Sequence, residues 1–344
     1  MSDDPTTRDT DEQSEAATSV PTVIVAGQLI DGRYRLKRLL ARGGMSEVWV
    51  AKHEHLGRTV ALKFVRADSA VMRALLLEEG KILASLRHPS VVEVHDCGML
   101  AGKLPFLVME LVEGETLREE LARVGRMSAR TAVETLLPVV AGVAAIHARG
   151  IVHRDIKPDN ILRTHGPARA IKLIDFGISQ RTDSPQAGPL FSGTPSYMAP
   201  EQVRGEQVDH RVDLWALGAT LYEFMVGRPP FELDGQVATT MALALEGHVA
   251  FPRDVHGLDG GLWRVLMGCL RTDPGQRVAT ALALYEALES WLSKQVERQS
   301  APTLQGEGLR RSQPALDTTV TAQPDSGAEL SSLDALIRDR LTNS

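Results

Sequence analysis

Cysteine is scarce in this sequence. The 344 residues hold two, Cys97 and Cys269, far apart and without metal-ligand spacing. That argues against a disulfide framework, a cysteine-built metal site or a catalytic thiol, and leaves buried structural thiols as the expectation. Positive charge is not in excess either. Lys and Arg number 38 against 44 Asp and Glu, a formal charge of -6, which argues against a nucleic-acid binder that works by general electrostatics. A phosphorylated small ligand stays open, because local charge decides that. Long apolar runs are missing: the best, Leu136 to Ala145, falls short of a membrane span. The amino terminus lacks an apolar signal region. A reducing, cytoplasmic setting without a membrane span is expected. Lysine is missing after Lys294, where Ser, Thr, Pro and Gln take over.

What is present suits one large domain or two smaller ones, with 43% hydrophobic and 24% charged residues. Residues 1–28 are acidic and polar ("MSDDPTTRDTDEQSEAATS"); they bury too little surface to offset ordering entropy and read as disordered. From Tyr34 the character changes. "YRLKRLLA", "SEVWVAKH" and "RTVALKFV" alternate with period two, punctuated by Gly43, Gly44 and Gly57. Met72, Leu75, Leu76, Glu79, Ile82, Leu83 and Leu86 fall at helical spacing over residues 69–86. "VVEVHDCG" and "LPFLVMEL" read as two further strands, giving a five-stranded antiparallel sheet with one long helix.

After Gly114 the pattern turns helical. Ser128 is a candidate cap and Gly150 a candidate terminator for "ARTAVETLLPVVAGVAAIHAR", in which Pro138 costs a backbone hydrogen bond. "VDLWALGATLYEFMVG" is a second apolar helix ending at Gly227, and two or three more fill residues 235–293. Residues 295–344 read as a flexible tail, with a candidate docking helix over 330–341 that sets Leu330, Leu333, Ile337 and Leu341 on one face.

The densest polar cluster is "IVHRDIKPDNIL", residues 151–162. "IKLIDFG" follows and places Asp175 between an apolar strand and a Phe-Gly turn. Two carboxylates and an amide near a lysine suit Mg²⁺ and phosphate, since hard cations take oxygen ligands.

Four motifs in order carry a resemblance: "VALK", "HRDIKPDN", "DFG" and "APE". The chain resembles the eukaryotic-like serine/threonine protein kinases of bacteria over roughly residues 30–293. The resemblance implies an α+β bilobal protein-kinase fold. A small β-rich lobe with one long helix (29–111) would precede a larger, mostly helical lobe (112–294). It also implies ATP and Mg²⁺, with Mn²⁺ as an alternative, as cofactors, and protein substrates with Ser or Thr acceptors. A partner for the tail and transient homodimers are further expectations.

Residue by residue, the resemblance gives Lys63 the α- and β-phosphates and pairs it with Glu79; Glu78, roughly 100° around the helix, is the alternative. Asp155 orients the acceptor hydroxyl, Lys157 neutralises the γ-phosphoryl group, and Asn160 and Asp175 hold the metal. Leu40, Ala41, Arg42, Gly43, Gly44, Met45, Ser46 and Val48 form the lid over the nucleotide. Ala61, Met109, Glu110, Val112 and Leu162 surround the base. His153, Glu201, Asp213 and Arg277 are structural, with Arg277 paired to Glu201 and Asp213 bracing the catalytic loop. Arg154 marks control through the activation segment, where Thr182, Ser184, Ser192 and Thr194 are candidate phosphorylation or contact sites.

One departure stands out. In a G-x-G-x-x-G-x-V register the lid has Ala41 and Ser46 where glycine is expected. Such a loop works through backbone N–H groups, so small side chains are tolerated when φ is negative. The altered glycines support a rival, a scaffold with little catalysis; the intact Lys63, Glu79, Asp155, Asn160 and Asp175 oppose it. A second rival, a small-molecule kinase, is opposed by the peptide-shaped "GTPSYMAPE".

Overall fold

A computed structural model describes residues 23–44, 46–67, 69–175, 194–232 and 235–300. The amino-terminal half builds a sheet of β1 (Leu29–Ile30), β2 (Tyr34–Arg42), β3 (Ser46–His53), β4 (Thr59–Val65), β5 (Val94–Leu100) and β6 (Leu104–Glu110). All neighbours are antiparallel, in the order β1-β2-β3-β4-β6-β5. The sheet thus has six strands rather than five. The extra one is two residues long, too short to show a period, and is held by Leu29 and Ile30 pairing with Arg35 and Tyr34. Backbone pairing starts earlier than the expected boundary at 28: Gly27 N–H donates to Leu36 O at 2.8 Å, and Leu36 N–H to Gln28 O at 2.9 Å.

Side chains alternate across a strand, so β4 serves two cores. Val60, Leu62 and Phe64 join Tyr34, Leu36, Phe106 and Val108 in a cluster on one face. Ala61 and Val65 join Leu107, Met109 and the rest of the molecule on the other. Lys63 shares the parity of Ala61 and Val65, which turns its ammonium inward; the residue is 3% exposed.

Helix α1 (Ala70–Ala84) packs on that inner face. Ser69 caps it by accepting from Met72 N–H at 3.1 Å, and its last residue, Ala84, falls two short of the expected 86. Leu76, Gly80 and Leu83 are its buried face. A Cβ at Gly80 would lie 2.8 Å from Leu107 Cδ2 and 3.1 Å from Cys97 Cβ, so glycine lets the helix approach the sheet.

A second, three-stranded sheet follows, β7 (Gly114–Thr116), β8 (Ile161–Thr164) and β9 (Ile171–Leu173), in sequence order. Between β7 and β8 come α2 (Leu117–Val124) and α3 (Ala129–His147). Thr116 and Glu119 form a capping box at the start of α2, and Ser128 accepts from Thr131 N–H at 3.2 Å to cap α3. By length and composition α3 is apolar enough to cross a membrane. Ten of its residues are buried in the helical half, which accounts for its apolarity as core.

The remaining helices are α4 (Pro200–Val203), α5 (Arg211–Val226), α6 (Val237–Glu246), α7 (Gly260–Cys269) and α8 (Ala281–Ser300). Helix α5 is buried all round, from Val212 to Met225, and ends at Gly227 with φ of 87°. Each large side chain fully buried in this half contributes about 1.5–3 kcal/mol of transfer free energy. Helix α8 continues past the expected boundary at 294. The candidate helix 330–341 lies outside the described residues.

Candidate active site

The polar residues of 151–162 form a loop between α3 and β8, anchored from below by α5. Asp213, in the first turn of α5 and fully buried, accepts from the backbone N–H groups of His153 at 2.8 Å and Arg154 at 2.7 Å. Its Oδ2 also lies 2.8 Å from His147 Nε2. Burial pushes the Asp213 carboxyl upward, but the hydrogen bond and charge of His147, with those of the loop, hold it below its usual range. A carboxylate is therefore the fixed acceptor under the loop. Arg154 takes φ of +66°, a strained conformation for a non-glycine residue that these bonds hold in place. His153 is fully buried; its Nδ1 accepts from Asp155 N–H at 3.3 Å, and burial lowers its pKa, which keeps the ring neutral.

Above this brace Asp155 is enclosed by donors. Lys157 Nζ reaches Oδ1 at 2.9 Å and Oδ2 at 3.0 Å, and Asn160 Nδ2 donates to Oδ2 at 2.8 Å and to Asp155 O at 2.7 Å. Lys157 also donates to Thr194 Oγ1 at 3.0 Å, which ties the stretch leading into α4 to the loop. Asn160 O accepts from Ile174 N–H at 2.8 Å, so Asp175 follows directly beside it. Asp175 has φ of +61° and accepts from the Lys63 ammonium. Residues 112 positions apart in sequence are thereby joined across the sheet and the loop.

Helix α1 carries two adjacent carboxylates. Glu78 is exposed and pairs with Lys81 at 2.7 Å on the outer surface. Glu79 is partly buried, three residues beyond the inward Leu76. At the end of β6, Met109 is buried and opposite Ala61. Glu110 Oε1 accepts from Glu93 N–H at 2.9 Å and Lys172 Nζ at 2.5 Å, which fixes the crossing from β6 into residues 111–113. Val48 and Val112 pack against the main core, and Leu162 is half-buried on β8 opposite Lys172.

The turn between β2 and β3 is exposed from Leu40 to Gly44, and Ser46 is half-buried. Ala41 sits in β2 opposite Val48, in extended backbone. Gly43 N–H donates to Ser46 O at 2.8 Å, and Arg42 pairs with Glu47 at 3.3 Å across the hairpin. A Cβ at Gly44 would meet nothing within 4 Å, and one at Gly43 only Ser46 at 3.7 Å or beyond. The hairpin itself therefore does not need glycine there. Met45, Thr182, Ser184 and Ser192 lie outside the described residues.

Glu201 and Arg277 form a buried bidentate pair, at 2.7 and 3.0 Å. Arg277 also donates to the backbone oxygens of Arg211 and Arg271 and stacks 5.3 Å from the Trp215 ring.

Sequence reasoning missed a second polar network. Arg118 of α2 bonds to Glu223 of α5, donates to Tyr197 Oη at 2.6 Å and reaches Asp159 at 3.2 Å; Tyr197 also donates to Glu223. One signal was available: Glu223 is a charge within the apolar run of α5, and a buried charge needs partners. Burial and the neighbouring Glu223 charge raise the Tyr197 pKa, so its hydroxyl stays a donor.

As a donor set, Asn160 and Asp175 offer one amide and one carboxylate, hard oxygens beside a lysine. Among the described residues no group of three or more His, Cys, Asp and Glu could cage a metal by itself. The oxygen donors of Asn160 and Asp175 would suit a hard divalent cation.

A strand-borne lysine on an aspartate, with a loop aspartate held by lysine and asparagine, is the arrangement expected of the protein-kinase family. The chain belongs to that family: residues 34–289 match the family model described as "Protein kinase domain". Membership implies use of ATP and a divalent metal. It is 40% identical over 237 residues to a probable serine/threonine-protein kinase PknB of Bifidobacterium longum, covering 64% of this chain and 33% of that relative. It is 37% identical over 262 residues to PknB of Mycobacterium tuberculosis, covering 73% and 42%. PknA of the same organism is 38% identical over 239 residues, covering 67% and 55%. The chain thus spans between a third and a little over half of the length of these relatives.

Proposed function

We propose that this chain is a serine/threonine protein kinase that transfers the γ-phosphoryl group of Mg·ATP to Ser and Thr hydroxyls of proteins and phosphorylates its own activation segment. The observation that carries the reading is the Asp155 carboxylate, held by Lys157 and Asn160, with Thr194 tied to the same lysine. An acceptor hydroxyl beside Asp155 is oriented by that carboxylate, and Lys157 complements the charge that develops on the transferred group. Lys63 places the remaining phosphates and Glu79 is its helix partner. Asn160 and Asp175 would hold the metal. When bound, such a cation would neutralise negative charge on the phosphates.

Met109, Glu110 and Val112, with Ala61, Val48 and Leu162, form the base pocket. The backbone of 40–46 covers the phosphates, and the substitutions at Ala41 and Ser46 are compatible with that role because backbone access matters more than glycine identity. Thr182, Ser184 and Ser192 are the candidate autophosphorylation sites, with Arg154 the cation that receives the phosphate. Thr194 selects hydroxyl amino acids through Lys157. The relatives' names as serine/threonine-protein kinases support the acceptor class. Two unpaired cysteines suit a reducing, cytoplasmic setting.

The test is incubation with Mg·ATP and dephosphorylated casein, followed by phosphosite mapping. Phosphate on Ser and Thr of casein and within residues 182–194 is expected. Phosphate on tyrosine alone, or none while a control kinase labels casein, contradicts the reading.

A further inference from the structure

The network around Arg118 is not used by the proposed phosphoryl-transfer step, yet through Asp159 it adjoins the loop that carries Asp155. Tyr197, its other partner, lines a small pocket together with Asp155 and Thr194. Asp159 stands two residues from Lys157 and one from Asn160. The two carboxylates differ in access: the Glu223 side chain is 1% exposed and that of Asp159 is 46% exposed. Arg118 is 38% exposed and bonds to both, so it forms the solvent-facing cover of a buried negative charge.

Planar guanidinium is the group best matched to paired carboxylates, and a carboxylate buried without a cation draws one from its surroundings. In a protein kinase the surroundings beside the acceptor cleft are the acceptor protein. We propose that Arg118 is a specificity-determining residue. Its guanidinium fills, from within the chain, a Glu223–Asp159 site that would otherwise take an arginine or lysine of the substrate. This kinase therefore does not select basic residues next to the acceptor. The inference rests on the kinase reading above and adds the substrate class to it.

A degenerate peptide library with a central Ser or Thr, each flanking position fixed in turn as Arg, Lys, Ala or Asp, tests it. The wild-type chain is expected to show no more than about twofold preference for Arg or Lys at any position. Arg118→Met keeps the aliphatic stem and removes the charge. It is expected to raise kcat/KM for peptides with one particular basic flank by roughly tenfold, through KM. Adding Asp159→Asn should reduce that gain. Guanidinium ions should compete with the basic peptide in Arg118→Met and not in wild type, a readout that simple loosening of α2 does not move.

Strong selection for Arg or Lys by the wild type overturns the proposal, and that measurement stands even if the variant fails to fold. So does an active Arg118→Met with an unchanged profile. A wild type that labels casein but shows such selection loses this inference alone. One that labels neither casein nor peptides loses the kinase reading too.

Discussion

At the scale of single residues the site is governed by buried charges whose partners come from distant parts of the chain. Arg277 is the clearest case. Its guanidinium answers Glu201 and two backbone oxygens and stacks on Trp215, all out of water. Removing one partner strands the other charge, which costs about 3–5 kcal/mol. Arg277→Ala is expected to lose that much in denaturant unfolding. Arg277→Lys should recover little of it, because an ammonium reproduces neither the fork nor the stacking. A loss below about 1 kcal/mol for Arg277→Ala would show that the pair does not hold α4 to the loop before α8. The lid makes a different residue-scale prediction. Gly44 has open space around its would-be Cβ, so Gly44→Val should shift Tm by no more than about 2 °C while raising the KM for ATP severalfold. An unchanged KM would assign the hairpin no contact with nucleotide.

Motif residues stood out in the sequence at this scale because their types and order, in "VALK", "HRDIKPDN" and "DFG", carry the family resemblance. Arg118 did not. An arginine early in an amphipathic helix looks like any solvated charge, and its three partners lie 41, 79 and 105 positions away.

At the scale of elements, the sequence revealed what was long and strongly patterned: α1 and the alternating strands by their period, α3 and α5 by their apolar length. It did not reveal β1, which has two residues, or α2, whose eight residues bury Leu117 and Leu121 alone. Parity within β4 is the element-level cause of the site, since it turns Lys63 inward with Ala61 and Val65.

The start of α7 carries a pH-dependent stabilisation. Asp259 caps it, accepting from Gly261 and Leu262 N–H at 2.9 Å, and its oxygens also accept from Trp291, Gln295 and Arg298 of α8. Partial burial raises its pKa, but these bonds outweigh it and bring the group to about 2, against an ordinary 3.8. A pKa depressed on folding means stability that is fully present above the unfolded value and lost as pH falls through the folded one. Stability should therefore decline from about pH 4 toward pH 2. Asp259→Asn, still a good cap, should flatten that decline while costing little at pH 7. Equal acid sensitivity in the variant would remove Asp259 from the account.

At the scale of the whole molecule, two halves with different chemistry meet at one cluster. The strand lobe supplies a cation from an otherwise apolar face. The helical lobe supplies a loop whose backbone is pinned by Asp213 and whose carboxylate is pinned by Lys157 and Asn160. The division into a β-rich and a helical half was legible because the hydrophobic period changes near Gly114. Where strand pairing starts and how far α8 runs were not, since neither is marked by a change in apolar pattern.

The central claim is that Asp155 works on the acceptor while Lys63, Asn160 and Asp175 serve the nucleotide and its metal. The most direct measurement is steady-state phosphorylation of casein by Asp155→Asn beside wild type, with Mg·ATP affinity measured on the same preparations. A fall in kcat of at least about 10²-fold with ATP affinity within a few-fold of wild type is the predicted result. Retained turnover in Asp155→Asn, or a loss of ATP binding equal to the loss of turnover, would contradict it.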